Sequence, residues 1–198
     1  MAFHTGSEPM FFGNSFSEPL LPYPDQKLWV IGKSTDISHS VNFLEKIDED
    51  LGAAWVAMQR FCSLVNLAME THRVFSLEIV LDTMAAVMYR LLRMRFETGS
   101  INEAIRLGLL SLSYRIFLQR QDMGFSSFRF PSIYRNSLSN LKLADGFPPG
   151  IMLWLLMIGG ISRFASSDNA WLKDSLQEHM GICHVKSWDE LRGTRIAA

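Results

Sequence analysis

The chain has 198 residues, of which 48% are hydrophobic and 20% charged, and its formal net charge is -1. That is enough apolar side chain for a sizeable core, and it carries no basic footprint of the kind that holds nucleic acid directly. Two cysteines far apart in sequence, Cys62 and Cys183, exclude a disulfide framework and point to a reducing compartment.

Residues 1–40 carry Pro9, Pro19, Pro22 and Pro24, with Gly6, Gly13, Gly32 and many serines, and show no sustained period. They read as an extended, partly disordered arm. Its aromatics Phe11, Phe12, Phe16, Tyr23 and Trp29 are available to pin it to the remainder. The opening Met1-Ala2-Phe3-His4 lacks the basic-then-apolar order of a secretory signal. Residues 41–198 read as one helical domain.

The helical pattern begins near Asn42. Glu45, Asp48, Glu49 and Asp50 fall early in this first segment, where negative charge suits the helix dipole. Ala57, Phe61, Leu64 and Ala68 form one apolar stripe, and Trp55, Met58, Cys62, Val65 and Met69 a second, which predicts burial over a wide face. A second helix shows Leu77, Leu81, Met84, Met88 and Leu91 at spacings of four and three, with Ser76 as its candidate N-cap. Arg90, Arg93, Arg95 and Gly99 supply its stop signals.

A third helix is expected over Ile101 to Gln119. Leu107, Leu109, Leu110, Leu112, Ile116, Phe117 and Leu118 make it apolar nearly all round, which predicts a central place. After a loop near Asp122 to Pro131 comes a shorter helix to about Leu143. Asp145 to Gly150 breaks the chain, and an apolar helix starts at Ile151. That run to Ile161 is too short for a bilayer, which takes about 20 apolar residues. Ser166-Ser167-Asp168 offers the next N-cap, and Gly181 the matching stop. Ser187 with Glu190 three residues later has the form of a capping box. The class is therefore all-α: an irregular bundle of about six to seven helices behind an extended N-terminal arm.

Few residues invite chemistry. His179, Cys183 and His184 have metal-like spacing, but no fourth ligand is close in sequence, so no metal or cofactor is expected. No catalytic motif occurs, and Cys62 on an apolar stripe suits an inert core thiol. Asp48, Glu49 and Asp50 suit a solvated helix start better than acid–base work. The arginines 90, 93 and 95 are spread around a helix end rather than focused on a phosphate. Trp154, inside the apolar run, is expected in the core, whereas Trp171, flanked by Asn169 and Lys173, suits either core or interface.

Several segments taken in order resemble the regulatory domain of fungal binuclear zinc-cluster transcription factors. Tyr89-Arg90-Leu91-Leu92 and then Ala104-Ile105-Arg106-Leu107-Gly108-Leu109-Leu110 look like one stretch of that domain. Pro148 to Gly159, with Leu153 and Trp154, is similar to its apolar helix. Asp168-Asn169-Ala170-Trp171-Leu172 and Ser187-Trp188-Asp189-Glu190-Leu191-Arg192 resemble the segments that follow. The likeness covers roughly residues 55 to 192 and singles out Arg90, Leu91, Leu92, Arg106, Leu107, Leu110, Leu153, Trp154, Gly159, Trp171, Leu172 and Trp188 as structural or interaction positions.

The resemblance implies a nuclear, non-enzymatic domain that regulates metabolic or secondary-metabolite genes. It implies protein partners, either a full-length transcription factor or a co-regulator, and pairing with a like or unlike copy. The family's six-cysteine zinc cluster is missing here, so its zinc and DNA-contacting residues do not carry over. The sequence also stops soon after Arg192, where the family's last helix usually continues. The competing expectation is a helical small-molecule binder or biosynthetic accessory enzyme with an apolar pocket among the methionine-rich helices.

Overall fold

Asp48 opens the first helix. Its carboxylate accepts the backbone N–H groups of Asp50 at 3.1 Å and Leu51 at 3.2 Å, satisfying donors that a helix start leaves orphaned. The computed structural model describes residues 46–72, 77–118, 130–142, 147–162 and 169–185. Among the described residues are six α-helices and no strand: α1 (Glu49–Glu70), α2 (Leu77–Arg93), α3 (Ile101–Leu118), α4 (Phe130–Lys142), α5 (Pro149–Ile161) and α6 (Asn169–Ile182). The described part of the chain is all-α, as its periodicity predicts. The N-terminal arm, Ser76, the loop after Asp122, the Asp145–Gly146 breaker, the Ser166–Asp168 cap and the Ser187–Glu190 box lie outside the described residues.

Helix α3 occupies the centre and packs against α1, α2, α4 and α5. Ala104, Ile105, Leu107, Leu109 and Leu110 are all buried, so neighbours cover it on several sides. Its buried Ser111 and Ser113 donate to the carbonyls of Leu107 and Leu109, at 2.9 and 2.7 Å, which satisfies both hydroxyls without help from another helix. Around it gather Leu51 and Phe61 of α1, Met84 and Leu91 of α2, Leu138 and Leu141 of α4, and Ile151, Leu155 and Leu156 of α5. Each such side chain contributes about 1.5–3 kcal/mol on burial.

Gly108 sets how near α3 comes to α5. A Cβ there would stand 2.6 Å from Leu155 Cδ2 and 3.2 Å from Trp154 Cζ3. The space left by the missing side chain lets the Trp154 ring meet that of Trp55 at 4.5 Å between centroids, with planes inclined at 57°. A tilted aromatic pair of this kind adds to simple area burial. It joins α1 to α5 directly above α3. Helix α4 is fixed to the same place: the Tyr134 hydroxyl donates to the Leu155 carbonyl at 2.7 Å. Burial pushes that phenol far above its ordinary pKa, so it stays protonated and keeps donating.

Helices α4 and α6 run parallel, bridged by long side chains rather than packed face to face. Arg135 stands over the Trp171 ring at 5.3 Å, and Lys142, two turns further along α4, pairs with Glu178, two turns further along α6. Helix α5 packs against both. It has no polar side chain from Pro149 to Ile161, yet it is not covered all round: Trp154 and Met157 are half-buried, and Gly160 and Ile161 are exposed.

Five details depart from the sequence reading. Helix α1 starts at Glu49 rather than near Asn42, because Lys46 to Asp48 are not helical and Asp48 serves as the cap. Its second half is also less buried than two stripes predict. Burial stops at Phe61, and Met69 is 71% exposed. Gly99, with φ +88°, does not end α2, which stops at Arg93; it forms the turn ahead of α3. Helix α5 begins at Pro149 rather than Ile151, with a proline where an unpaired N–H would otherwise stand.

Gly181, expected to stop α6, is itself helical. The helix continues because the Cys183 N–H still reaches the His179 carbonyl at 2.9 Å. His184 then takes the left-handed conformation, φ 55°, and the Val185 N–H returns to the Met180 carbonyl at 2.9 Å, a Schellman arrangement with histidine in glycine's usual place.

Replacing Gly108 with valine should destabilise the fold by about 2 kcal/mol, the typical cost of overpacking a close helix contact. Urea unfolding measures it. The same variant should lose the near-ultraviolet circular dichroism of the Trp55–Trp154 pair before it loses helix.

Candidate interaction site

Two places collect the positions singled out by sequence. The first is the junction of α2 with α3. Ser100 caps α3, its hydroxyl accepting the Glu103 N–H at 3.2 Å. The Glu103 carboxylate is not turned back to the cap. It takes Nε and Nη2 of Arg106 at 2.7 and 2.6 Å, a two-pronged pairing. The remaining arm, Nη1, donates to the Leu91 carbonyl at 3.1 Å, near the C-terminal end of α2 where carbonyls lack helical partners. Arg106 thus closes one helix while holding the first turn of the next. The side chains of Arg106 and Glu103 are only 16% and 13% exposed, so water screens the pair little.

The second place is α6. Its flank toward α4 carries Trp171 and Glu178, engaged by Arg135 and Lys142. The hydrogen bond from Lys142 holds the Glu178 carboxyl below the usual range. Another flank forms an open groove of about 650 Å³, lined by Leu172, Lys173, Leu176, Gln177, Met180 and Val185, with Gly181 at its edge. Leucines 172 and 176 also approach Gly160 of α5: a Cβ on that glycine would stand 3.9 Å from each. Among the described residues Lys173 is the one charge on the groove's lining. The groove is therefore mainly apolar and adjoins the open stripe of α5.

Most of the other singled-out positions belong to the interior, and Trp154, expected in the core, lies at its edge. Leu91, Leu107, Leu110, Leu153, Gly159 and Leu172 are buried; Arg90, Leu92 and Trp154 are half-buried. Trp188 lies outside the described residues. The arrangement brings Arg106 to Leu91, and Leu172 to the edge of the groove, but it does not gather all twelve into one site.

His179, Cys183 and His184 do not converge. His179 is buried and its Nδ1–H donates to the Ser175 carbonyl at 2.9 Å, whereas His184 is exposed on the far side of the turn. Among the described residues no three histidine, cysteine or acidic side chains stand together as a metal would need. Burial pushes the Cys62 thiol up to about 11, the direction that suppresses a nucleophilic thiolate. Of the basic run, Arg93 stands over the Tyr89 ring at 6.0 Å and Arg95 is exposed. No described helix is long and apolar enough to cross a membrane.

Sequence reasoning missed the Lys142–Glu178 pairing between α4 and α6, and Val185 beyond the end of α6 as part of the groove. The stripe Leu172, Leu176, Met180 was legible as i, i+4, i+8, but that spacing does not say which part of it stays uncovered. Ser100-x-x-Glu103 was a readable cap signature. Comparison with known proteins finds no matching family model, no matching curated protein and no matching solved structure.

Arg106→Met should cost about 2–4 kcal/mol, because it leaves a shielded carboxylate without its partner; an exposed i, i+3 pair would cost only about 0.2–0.5 kcal/mol. Thermal or urea unfolding separates the two values. At the opposite extreme lies the exposed Glu178. Its lowered pKa means that the pairing with Lys142 favours the fold above the ordinary glutamate range and fades as pH falls through the lowered value. A carboxyl NMR titration should show Glu178 titrating below an ordinary glutamate, and Lys142→Met should return it upward.

Proposed function

We propose that the chain is a regulatory and interaction domain that works by docking protein partners, and that the groove on α6 is where a partner's apolar side chains enter. The groove is the observation that carries this reading: Leu172, Leu176, Met180 and Val185 line a surface recess that the described helices leave open. Apolar recesses rimmed by polar groups are favoured docking places, and methionine adapts its shape to what enters. The ordered likeness of residues 55 to 192 to the regulatory domain of zinc-cluster transcription factors supports a role in transcription. On that reading the partner is a full-length factor or co-regulator, the site of action is the nucleus, and DNA is reached through the partner.

The openness of the groove favours a macromolecule over a small molecule. A small-molecule site encloses most of its ligand, typically 70–90% of the ligand's surface. A recess on one flank of a helix leaves much of such a ligand in water, whereas a partner brings its own second wall.

The test compares the chain with its Met180→Glu variant in nuclei of the native cell, using proximity labelling. Met180 is half-buried, so the fold should survive. Transcription factors or co-regulators should be labelled by the unaltered chain and fall by about tenfold in the variant, the loss expected when an anchoring contact of more than 1 kcal/mol is removed. Equal labelling by both chains, or an absence of transcriptional proteins, overturns the reading.

A further inference from the structure

Helix α5 lacks polar side chains altogether, and a helix of that kind is normally buried on every side. Among the described residues nothing covers one side of it. Trp154 and Met157 are half-buried, Gly160 is exposed, and Ile161 is 43% exposed; at spacings of three and four they form one stripe. Trp55 flanks its first residue, and Leu172 and Leu176 of α6 flank Gly160. No charged group stands on the stripe itself.

We propose that this stripe is the seat of the chain's own N-terminal segment, residues 1–45, whose aromatic side chains lie on Trp154, Met157 and Ile161. Three observations choose this occupant. The segment joins the bundle at Lys46, next to Ile47, which is 7% exposed in the core, and Trp55 two turns further along α1 already touches Trp154. The connection therefore enters at the Trp154 end of the stripe. Its length suffices: from Trp29 to Lys46 an extended chain spans up to about 55 Å, against about 20 Å for all of α5. The chemistry matches as well. Phe11, Phe12, Phe16, Tyr23 and Trp29 offer rings to a tryptophan and to a methionine sulfur, both favourable contacts. The proposal is independent of the partner groove, since the arm can lie on α5 whether or not anything docks on α6.

Methionine oxidation by dilute peroxide, read by peptide mass spectrometry on the full chain, tests it. Met69, 71% exposed, and Met84, 0% exposed, are the fast and slow references. Met157 should react several-fold more slowly than Met69. Changing Phe11, Phe12, Phe16, Tyr23 and Trp29 together to serine should speed Met157 about fivefold while Met84 stays slow. Met157 as fast as Met69 at the outset, or unchanged in the variant, overturns the proposal. So does protection that vanishes on dilution, which would identify a second copy as the cover. Should Met84 also accelerate, the variant has unfolded, and a benzoylphenylalanine photo-crosslinker at position 157 of the otherwise unaltered chain decides. Crosslinks to peptides from residues 1–45 within one chain support the proposal; crosslinks only elsewhere, or only between copies, refute it.

Discussion

The close approach of α3 to α5 at Gly108 is the constraint on which the bundle turns. With a Cβ there, Leu155 and Trp154 would both have to give way. Those two residues are also the places where other helices attach. Trp154 receives the Trp55 ring from α1, and the Leu155 carbonyl receives the Tyr134 hydroxyl from α4. One absent side chain thus allows three helices to converge on a fourth. Protein interiors pack at crystal-like density, so a displacement at this point would spread to every attached element.

The polar contacts are fewer and do different work. Arg106 ties the end of α2 to the start of α3 by one hydrogen bond to the Leu91 carbonyl, while two more hold Glu103 in a shielded place, where unmaking them leaves a part-buried group without a partner. The Lys142–Glu178 pair connects α4 to α6 in open water, where such pairs contribute little and salt weakens them further. Two charge pairs, one within a helix and one between helices, are therefore separated in consequence by their exposure. The apolar layers set the overall stability, and Arg106 fixes how one particular turn is made.

Much of this architecture was legible in the sequence. Helices recur wherever apolar residues return at three and four, and the all-round apolar character of Ile101 to Leu118 placed α3 at the centre. What escaped was set by distance in space. The Tyr134–Leu155 bond spans 21 positions in the chain, and nothing local to either residue announces the other. The Trp55–Trp154 contact and the need for Gly108 beneath it are hidden for the same reason. Helix ends were the weakest reading. Glycine at 99 and 181 suggested stops, but glycine permits a left-handed turn without requiring one. The chain turned at His184, one residue after the Cys183 N–H makes the last helical bond, to the His179 carbonyl. The site was less legible than the fold, since periodicity marks which residues are apolar and not which of them neighbours leave bare.

The parallel placement of α6 beside α4 has a mechanical consequence. Helix α6 leans on α5 through Leu172 and Leu176, and meets α4 through one ring contact and one solvated charge pair. Helices α2 and α3, by contrast, are riveted together at a shielded guanidinium. Among the described helices α5 and α6 nonetheless form the most extensive pairing. Whatever seats itself in the recess would therefore press through Leu172 and Leu176 on α5, and through α5 on the central α3.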